Sequence, residues 1–374
     1  MYFIGTGLPQ FYRKKEIFMP YKEESNMILR AKLEILEHEL PPICKEFFNA
    51  KASLVPSTAY AYAHKLLYFF MFLQDTNPYF KNKEIPSVTH TDLAMLKVTD
   101  FEEFIRWLKY HKDEEHVEKN TKKNGIHTCS VNTVRSYIAC LNTFYNFLVK
   151  RGYAKENPIK DLELPKKETK EEVVRLYSHE KQALMNTITT GAGLEGKQLI
   201  FHEKNKIRDT AIFQLFLDTG LRIAELQGIN VEDINFFEHY VYCARKRVND
   251  AEVFFSDYTE KCLLDYLEIR DSYYPIDGEN ALFLSCKGTR ISIRTLQTMT
   301  KKYSRAAITD KKNITPHRLR ATFATDLLNV TDNMEIVRSR MGHQSIQTTS
   351  LYVDTNKEQS RATRNMLYKN PFND

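Results

Sequence analysis

In the N-terminal half of the chain, apolar residues recur at helical spacing. Pro56 and Ser57 open an apolar stretch that runs through Gln74, and Asp75-Thr76-Asn77-Pro78 closes it, combining turn formers with a residue that cannot continue a helix. A second helix is expected from Thr99, whose hydroxyl and Glu102 make a capping-box pattern ahead of Phe101, Phe104, Ile105 and Leu108. After Ser130, the positions Val134, Tyr137, Ile138, Leu141, Phe144, Tyr145 and Leu148 follow the i, i+3, i+4, i+7 rule for one buried face. Asn26 to Leu40 also reads as an amphipathic helix. The three helices after Pro56, Thr99 and Ser130 together imply a helical bundle, while the sequence does not say what Asn26 to Leu40 packs on. Lys109 to Cys129 is crowded with Lys, Asp, Glu, His and Asn, and reads as a mobile surface insertion.

Beyond Gly152 the periodicity stops. Asn157-Pro158, Lys160, Pro165, Lys166, Lys167 and Lys170 make a polar, Pro-punctuated stretch of the kind that links domains. Past a boundary near residue 170 the pattern is mixed: a helix from about Ile207 to Asp218, a hairpin over Tyr240 to Phe255 turning at Asn249-Asp250, more helix, and a short strand at Leu282 to Ser285. The fold class expected is mostly α with a small β-sheet. Residues 1–40 form an N-terminal extension, 41–157 a helical domain, 158–175 a linker, and 176–374 a mixed α+β domain with a C-terminal tail.

Composition narrows this picture without changing it. A chain of 374 residues with 42% hydrophobic and 27% charged residues has the makeup of an ordinary globular protein. Its longest unbroken apolar run, Leu66 to Leu73, falls well short of the roughly 20 residues a membrane-spanning helix needs, and the N-terminus lacks the apolar core of a signal peptide. A cytoplasmic protein with no membrane partner is expected. The six cysteines show no CxxC and no zinc spacing, so they read as small buried residues in a reducing compartment. The formal charge of +6 says little, but its distribution says more: from Lys287 to Arg320 there are ten basic residues against the single acid Asp310. That one-sided run points towards a polyanion partner.

Within this basic half lie residues able to do chemistry. Thr315-Pro316 reads as a helix start, which puts His317 and Arg320 on one face beside the exposed N–H groups and positive dipole end, a natural phosphate site. Asp332 and Glu335 are candidates to cap another helix, stopped at Gly342 with His343 next, and Tyr352 follows on a short helix capped by Ser345. Upstream, Asp218-Thr219-Gly220-Leu221-Arg222 reads as a helix, a Gly stop and a new helix, with Glu225 placed to pair with Arg222 or to cap that helix. Lys246 sits on the first strand of the expected hairpin, flanked by Arg245 and Arg247. Each of these, read alone, is a surface cation, a capping group or a core tyrosine.

Taken jointly, Arg222, Lys246, His317-x-x-Arg320, Gly342-His343 and Tyr352 resemble the ordered signature of the tyrosine recombinase (phage integrase) family. The matching stretches are Thr219-Gly220-Leu221-Arg222 with Glu225-Leu226, His317-Arg318-Leu319-Arg320 with Thr322-Phe323-Ala324-Thr325, and Met341-Gly342-His343-Gln344-Ser345-Ile346 with Thr348-Thr349 and Tyr352. Ser57-Thr58-Ala59-Tyr60, Ser130-Val131-Asn132-Thr133-Val134 and Asn157-Pro158 look like the family's helical, SAM-like core-binding domain. The resemblance implies a recombinase that cuts and rejoins double-stranded DNA. In it Tyr352 forms a 3′-phosphotyrosine, Arg222 and Arg320 hold the nonbridging oxygens, Lys246 protonates the departing 5′ oxygen, His317 assists proton transfer and His343 donates to the phosphate. No metal or other cofactor is implied. The chemistry accounts for the choice of residues: guanidinium groups are permanently charged bidentate donors, and a phenol with pKa about 10 leaves more easily than an alkoxide, so rejoining needs no ATP.

The resemblance further implies a two-domain clamp round the duplex and a homotetramer that pairs two sites and exchanges strands through a Holliday junction, with an accessory DNA-bending or directionality factor as a further partner. Lys166, Lys167, Arg245, Arg247, Lys287, Arg290 and Arg294 are expected to touch DNA, with affinity falling steeply as salt rises. Two features depart from the family's usual pattern: Ala321 stands where a second His is common, and Arg247-Val248 replace the customary Gly and Asn after the Lys. Strand alternation decides which of residues 245–247 faces the phosphate, so the assignment of Lys246 rests on register. The biological role expected is integration or transposition of a mobile element. A Xer-like resolvase or inversion recombinase, a catalytically silent DNA-binding relative and a relaxing enzyme of the type IB topoisomerase kind remain as alternatives.

Overall fold

The computed structural model describes residues 21–110, 129–166, 175–243, 251–308 and 314–342. The chain divides into two compact units: Lys22–Lys170, and Glu171–Asp374 together with Met1–Tyr21. Each has its own hydrophobic core.

The first unit is built of helices α1 (Tyr21–Glu37), α2 (Pro42–Ala50), α3 (Pro56–Thr76), α4 (His90–Ala94), α5 (Val98–Tyr110) and α6 (Val131–Lys150). Helix α3 starts with Pro56 in its first turn and runs two residues beyond Gln74, ending where Asn77 turns extended. Helix α6 starts as its sequence dictates, the Ser130 hydroxyl accepting from the Thr133 N–H at 3.2 Å. Helix α5 differs from expectation. It begins at Val98, so Thr99 lies inside it, and Asp100 takes the capping role by accepting from the Lys97 N–H at 2.7 Å. A capping box does form nearby, between Thr89 and Asp92 at the start of α4. The apolar faces of α3, α5 and α6 meet in an aromatic core, with Phe69 edge-on to Phe104 (centroids 5.2 Å apart) and Phe101 edge-on to Tyr145 (5.2 Å). Such contacts add to the area that each ring buries. The surface insertion expected at Lys109 to Cys129 falls, beyond Tyr110 and before Cys129, outside the described residues.

The second unit contains α7 (Ser178–Thr190), α8 (Gly196–Thr219), α9 (Ile223–Gly228), strands β1 (Ile234–Asn235), β2 (Tyr240–Cys243) and β3 (Ala251–Phe254), then α10 (Asp257–Ile269), α11 (Ile293–Ala307), α12 (Pro316–Thr331) and α13 (Met334–Met341). Helix α8 is the hub and packs against α7, α10 and α12. It begins eleven residues before the expected Ile207, at Gly196. Its early turns send only His202 and Asn205 inward while Leu199, Ile200 and Phe201 stay exposed, so no buried apolar stripe marks them in the sequence. Deeper in α8, Arg208 donates to its neighbour Asp209, and Tyr303 of α11 donates to the same carboxylate at 2.6 Å, a buried polar tie between the two helices.

The three strands run antiparallel in the order β1-β2-β3, in a register that pairs Ile234 with Val241 and Tyr240 through Cys243 with Phe254 through Ala251. Val241, Cys243 and Val253 point into the core, while Tyr242 and Phe254 face outwards. The turn expected at Asn249-Asp250 lies outside the described residues. Leu282 to Ser285 is not a strand: isolated bridges join Asn230 to Ala281 and Leu284 to Arg290, and single bonds such as Leu282 N–H to Ile229 O satisfy its buried backbone. A short apolar run such as Leu282-Phe283-Leu284 reads the same whether it fills a ladder or a buried loop. Helix α13 is capped by Asn333, whose Oδ1 accepts from the Glu335 and Ile336 N–H groups, and not by Asp332, which closes α12 in a left-handed conformation. Among the described residues no helix is long and apolar enough to cross a membrane.

In the first unit, Asp92 is buried and accepts from Lys83 (2.5 Å), Tyr79 (2.6 Å) and the Thr89 N–H (2.7 Å). Burial by itself would raise its pKa; the hydrogen bonds from Lys83, Tyr79 and Thr89 outweigh that and hold the carboxyl far below the ordinary carboxylate range. A depressed folded-state pKa contributes stability above the unfolded value of about 3.9 and loses it as pH falls through the folded one. Asp92→Asn is therefore expected to be less stable than wild type at pH 7 and to lose less on acidification, so that urea midpoints measured at pH 7 and pH 3 converge.

Candidate functional site

Three helix ends meet beside α8. Gly220 closes α8 in a left-handed conformation (φ 60°), and a Cβ there would lie 2.2 Å from the Phe323 ring of α12, so neither the backbone angle nor the space admits a side chain. The chain turns at once into α9, and Arg222 occupies the position just before it. Glu225 then does both things the sequence allowed. Its carboxylate accepts the Arg222 backbone N–H at 2.8 Å and the Arg222 guanidinium at 2.7 Å.

Arg320 enters from the start of α12, where Pro316 occupies the first turn and needs no hydrogen bond. Its guanidinium is buried, donates to the carbonyls of Gly220 and Met341, and stands 3.8 Å from the Glu225 carboxylate. Arg222 completes the set by donating to the Gly342 carbonyl at 3.0 Å. One buried carboxylate and three backbone carbonyls at helix ends thus hold two guanidiniums side by side. Carbonyls at a helix end have no partner within the helix, which makes them natural acceptors for cations.

His317, one turn before Arg320 on α12, is exposed. Its pKa is pushed below the ordinary histidine value, first by partial desolvation and then by the positive charges of Arg320 and Arg222. With His317 neutral, two guanidiniums against one carboxylate leave the cluster a formal charge of +1 (two minus one). A net positive pocket of planar bidentate donors at the start of a helix suits a tetrahedral oxyanion.

The structure therefore brings together Arg222, His317 and Arg320, three of the six candidate catalytic residues. Lys246, His343 and Tyr352 lie outside the described residues, as do Arg245, Arg247 and Lys167. The described chain ends at Gly342, whose carbonyl Arg222 holds. Of the expected DNA contacts, Lys166, Lys287 and Arg294 are exposed. Arg290 is a correction. It is turned inwards, donating to the Gln227 and Ile229 carbonyls at 3.0 Å each and to Asn230 Oδ1, with Glu279 3.7 Å away. It braces the chain after α9, a role its place in a basic run disguised. The sharing of Glu225 between two arginines went unread because Arg320 is distant in sequence, and the carbonyls of Gly220, Met341 and Gly342 carry no residue-specific signal at all. Among the described residues no group of three or more His, Cys, Asp or Glu is placed to hold a metal ion.

Comparison with known proteins sets this cluster in context. The profile of the phage integrase family matches residues 174–359. The tyrosine recombinase XerC of Caldanaerobacter subterraneus subsp. tengcongensis is 30% identical over 356 residues, spanning 92% of this chain and 91% of that protein. Two solved structures share the fold. The XerH site-specific recombinase bound to difH substrate has a TM-score of 0.59 at 18% identity, over 88% of this chain and 84% of that one. The Tn1549 transposon integrase in complex with circular intermediate DNA has a TM-score of 0.58 at 20% identity, over 86% and 98%.

Two outcomes follow from the geometry. Glu225→Ala leaves two guanidiniums facing each other and is expected to cost about 3 kcal/mol in urea unfolding, the low end for breaking a buried pair because Arg222 is partly solvated. Glu225→Gln, which keeps an oxygen for the Arg222 N–H, should cost less. For His317, an NMR titration should give a midpoint below the ordinary 6.5, and added inorganic phosphate should raise it, since an anion between the arginines favours the imidazolium.

Proposed function

Since the chain belongs to the tyrosine recombinase (phage integrase) family of DNA breaking and rejoining enzymes, we propose that it recombines double-stranded DNA at specific sites through a covalent 3′-phosphotyrosine. The observation that carries this reading is the pair of guanidiniums held by Glu225 and three helix-end carbonyls, with His317 beside them.

In the proposed reaction a DNA phosphate lies against Arg222 and Arg320, which neutralise the charge that grows on its nonbridging oxygens. The Tyr352 oxygen attacks phosphorus and the bond to the 5′ oxygen breaks. The phenol proton passes to His317, kept neutral first by partial desolvation and then by its two cationic neighbours, and the Lys246 ammonium gives a proton to the departing 5′ oxygen. His343 donates a hydrogen bond to the phosphate. The reverse attack by a 5′ hydroxyl of another strand expels the phenol and reseals the backbone, so the bond's energy is conserved and no nucleotide is consumed. Two such exchanges between paired sites pass through a Holliday junction, and pairing two sites calls for four copies of the chain. Lys166, Lys287 and Arg294, exposed in the described residues, would hold phosphates outside the reacting centre.

For the biological role, the XerC relative at 30% identity spans nine-tenths of both proteins, whereas the transposon integrase is alike only in fold. This favours a recombinase of the Xer kind over the mobile-element integrase expected from the sequence.

The decisive assay is a suicide substrate: duplex DNA carrying the recombination site, nicked so that cleavage releases a short fragment, incubated in a chelator without ATP. Wild type is expected to form a covalent protein–DNA adduct and Tyr352→Phe none, at equal DNA affinity. An adduct surviving in Tyr352→Phe would move the nucleophile elsewhere, and tight binding without any adduct would leave a silent DNA-binding protein. Lys246→Ala is expected to abolish cleavage of ordinary DNA, whereas Arg245→Ala and Arg247→Ala chiefly weaken binding.

A further inference from the structure

Four residues before Arg222, in the last turn of α8, stands a carboxylate that the proposed reaction does not use. Asp218 Oδ2 accepts three hydrogen bonds, from the Ser256 N–H (2.7 Å), the Ser256 hydroxyl (2.8 Å) and the Thr259 hydroxyl (2.6 Å). One turn earlier on the same helix, Gln214 Nε2 reaches the Thr259 hydroxyl at 3.3 Å. Ser256 is the N-cap of α10 and follows β3 by a single intervening residue, Phe255, whose N–H bonds to the His239 carbonyl at the foot of β2. The carboxylate therefore grips the foot of the β2–β3 pair at the place where the chain leaves the sheet for α10.

That grip acts together with the four-residue ladder, the Tyr240–Phe254 ring pair (5.8 Å) and Arg340 over the Phe254 ring (5.4 Å) to set how far the strands β2 and β3 extend. Each has four residues, and in the β2–β3 pair only Val241, Cys243 and Val253 point into the core while Tyr242 and Phe254 face outwards. Short strands with one buried face are held in register by few contacts, and a slip of one residue turns every side chain over. The segment joining Cys243 to Ala251 contains Lys246. The other end of the tie is the turn that presents Arg222. We infer that Asp218 is a positioning residue: it sets the strand pair, whose connecting segment contains Lys246, in register with the arginine turn, so that the proton donor and the phosphate clamp reach the same phosphate. This rests on Lys246 as the donor to the 5′ oxygen. Three convergent donors on one oxygen suit a charged acceptor, and an amide in its place would keep the geometry with weaker bonds.

The test separates positioning of the proton donor from general damage. DNA in which sulfur replaces the bridging 5′ oxygen is cleaved when the Tyr352 oxygen–phosphorus bond forms and the phosphorus–sulfur bond breaks, with sulfur leaving as a thiolate. That step needs no proton from Lys246. On ordinary DNA, Asp218→Ala is expected to cleave on the order of 10- to 100-fold more slowly than wild type, the scale of loss for a misplaced catalytic group, with Asp218→Asn in between. On the sulfur substrate both variants should cleave at nearly the wild-type rate, with DNA affinity and melting temperature recorded alongside. Lys246→Ala is the control. If the sulfur substrate does not restore cleavage by Lys246→Ala, the reading of Lys246 as donor fails and the inference with it. If it restores Lys246→Ala but not the Asp218 variants, Lys246 stands and the inference about Asp218 is overturned. Wild-type cleavage of ordinary DNA by Asp218→Ala would overturn it as well.

Discussion

Two guanidiniums side by side repel each other, and the second unit of this protein is arranged so as to hold them together. Glu225 lies buried between Arg222 and Arg320, and the remaining donors go to the carbonyls of Gly220, Met341 and Gly342. Those carbonyls are free because α8 and α13 stop there, each at a glycine in the left-handed conformation. The helix stops are thus part of the site. A continuous helix through Gly220 would use its carbonyl internally and take one acceptor away from the buried Arg320 guanidinium. Because a buried cation short of acceptors is costly, the helix ends are held where their carbonyls meet the guanidiniums.

Holding three helix ends in place requires a rigid hub. Helix α8 supplies it through Ile212, Phe213, Leu215 and Phe216, all buried among α7, α10 and α12. Apolar packing alone tolerates sliding, whereas directional polar ties do not. Asp209 between Arg208 and Tyr303 fixes α8 against α11, and Arg290 fastens the chain after α9 to the loop that precedes α11. The first tie is buried and the second half-buried; both lie outside the arginine cluster, so they act on it only through the geometry of α8 and α9.

What could be read from the sequence follows the range of the interactions involved. Helix starts at Pro56, Ser130 and Pro316, and stops at Gly220 and Gly342, are set by the residues at those positions and were legible. The arginine pair and its histidine were legible as a spaced pattern, though only because several weak signals fell in order. Interactions between distant parts of the chain were not legible. Arg290 stood among ten basic residues and looked like one more surface cation, yet four groups from other loops draw it inwards. The early turns of α8 have no apolar stripe because they hardly touch the core, and Leu282 to Ser285 has strand composition while filling a buried loop. Local caps obey local rules. Where one polar neighbour competes with another, as with Thr99 and Asp100 or Asp332 and Asn333, the packing of the helix decides which serves.

The charge of the cluster also bears on protons. A partly desolvated imidazole beside two guanidiniums resists protonation, so His317 stays neutral at neutral pH, the form in which it can accept a proton. An arriving phosphate cancels part of the positive field and raises the proton affinity of His317. In the proposed reaction the base therefore gains strength only once the group to be attacked is seated, and water, which does not cancel that field, leaves it weak. The arrangement that clamps the phosphate would thus also time the removal of the phenol proton. Glu225 leaves the arginine pair one excess positive charge, and a second carboxylate would remove the excess that draws the phosphate in.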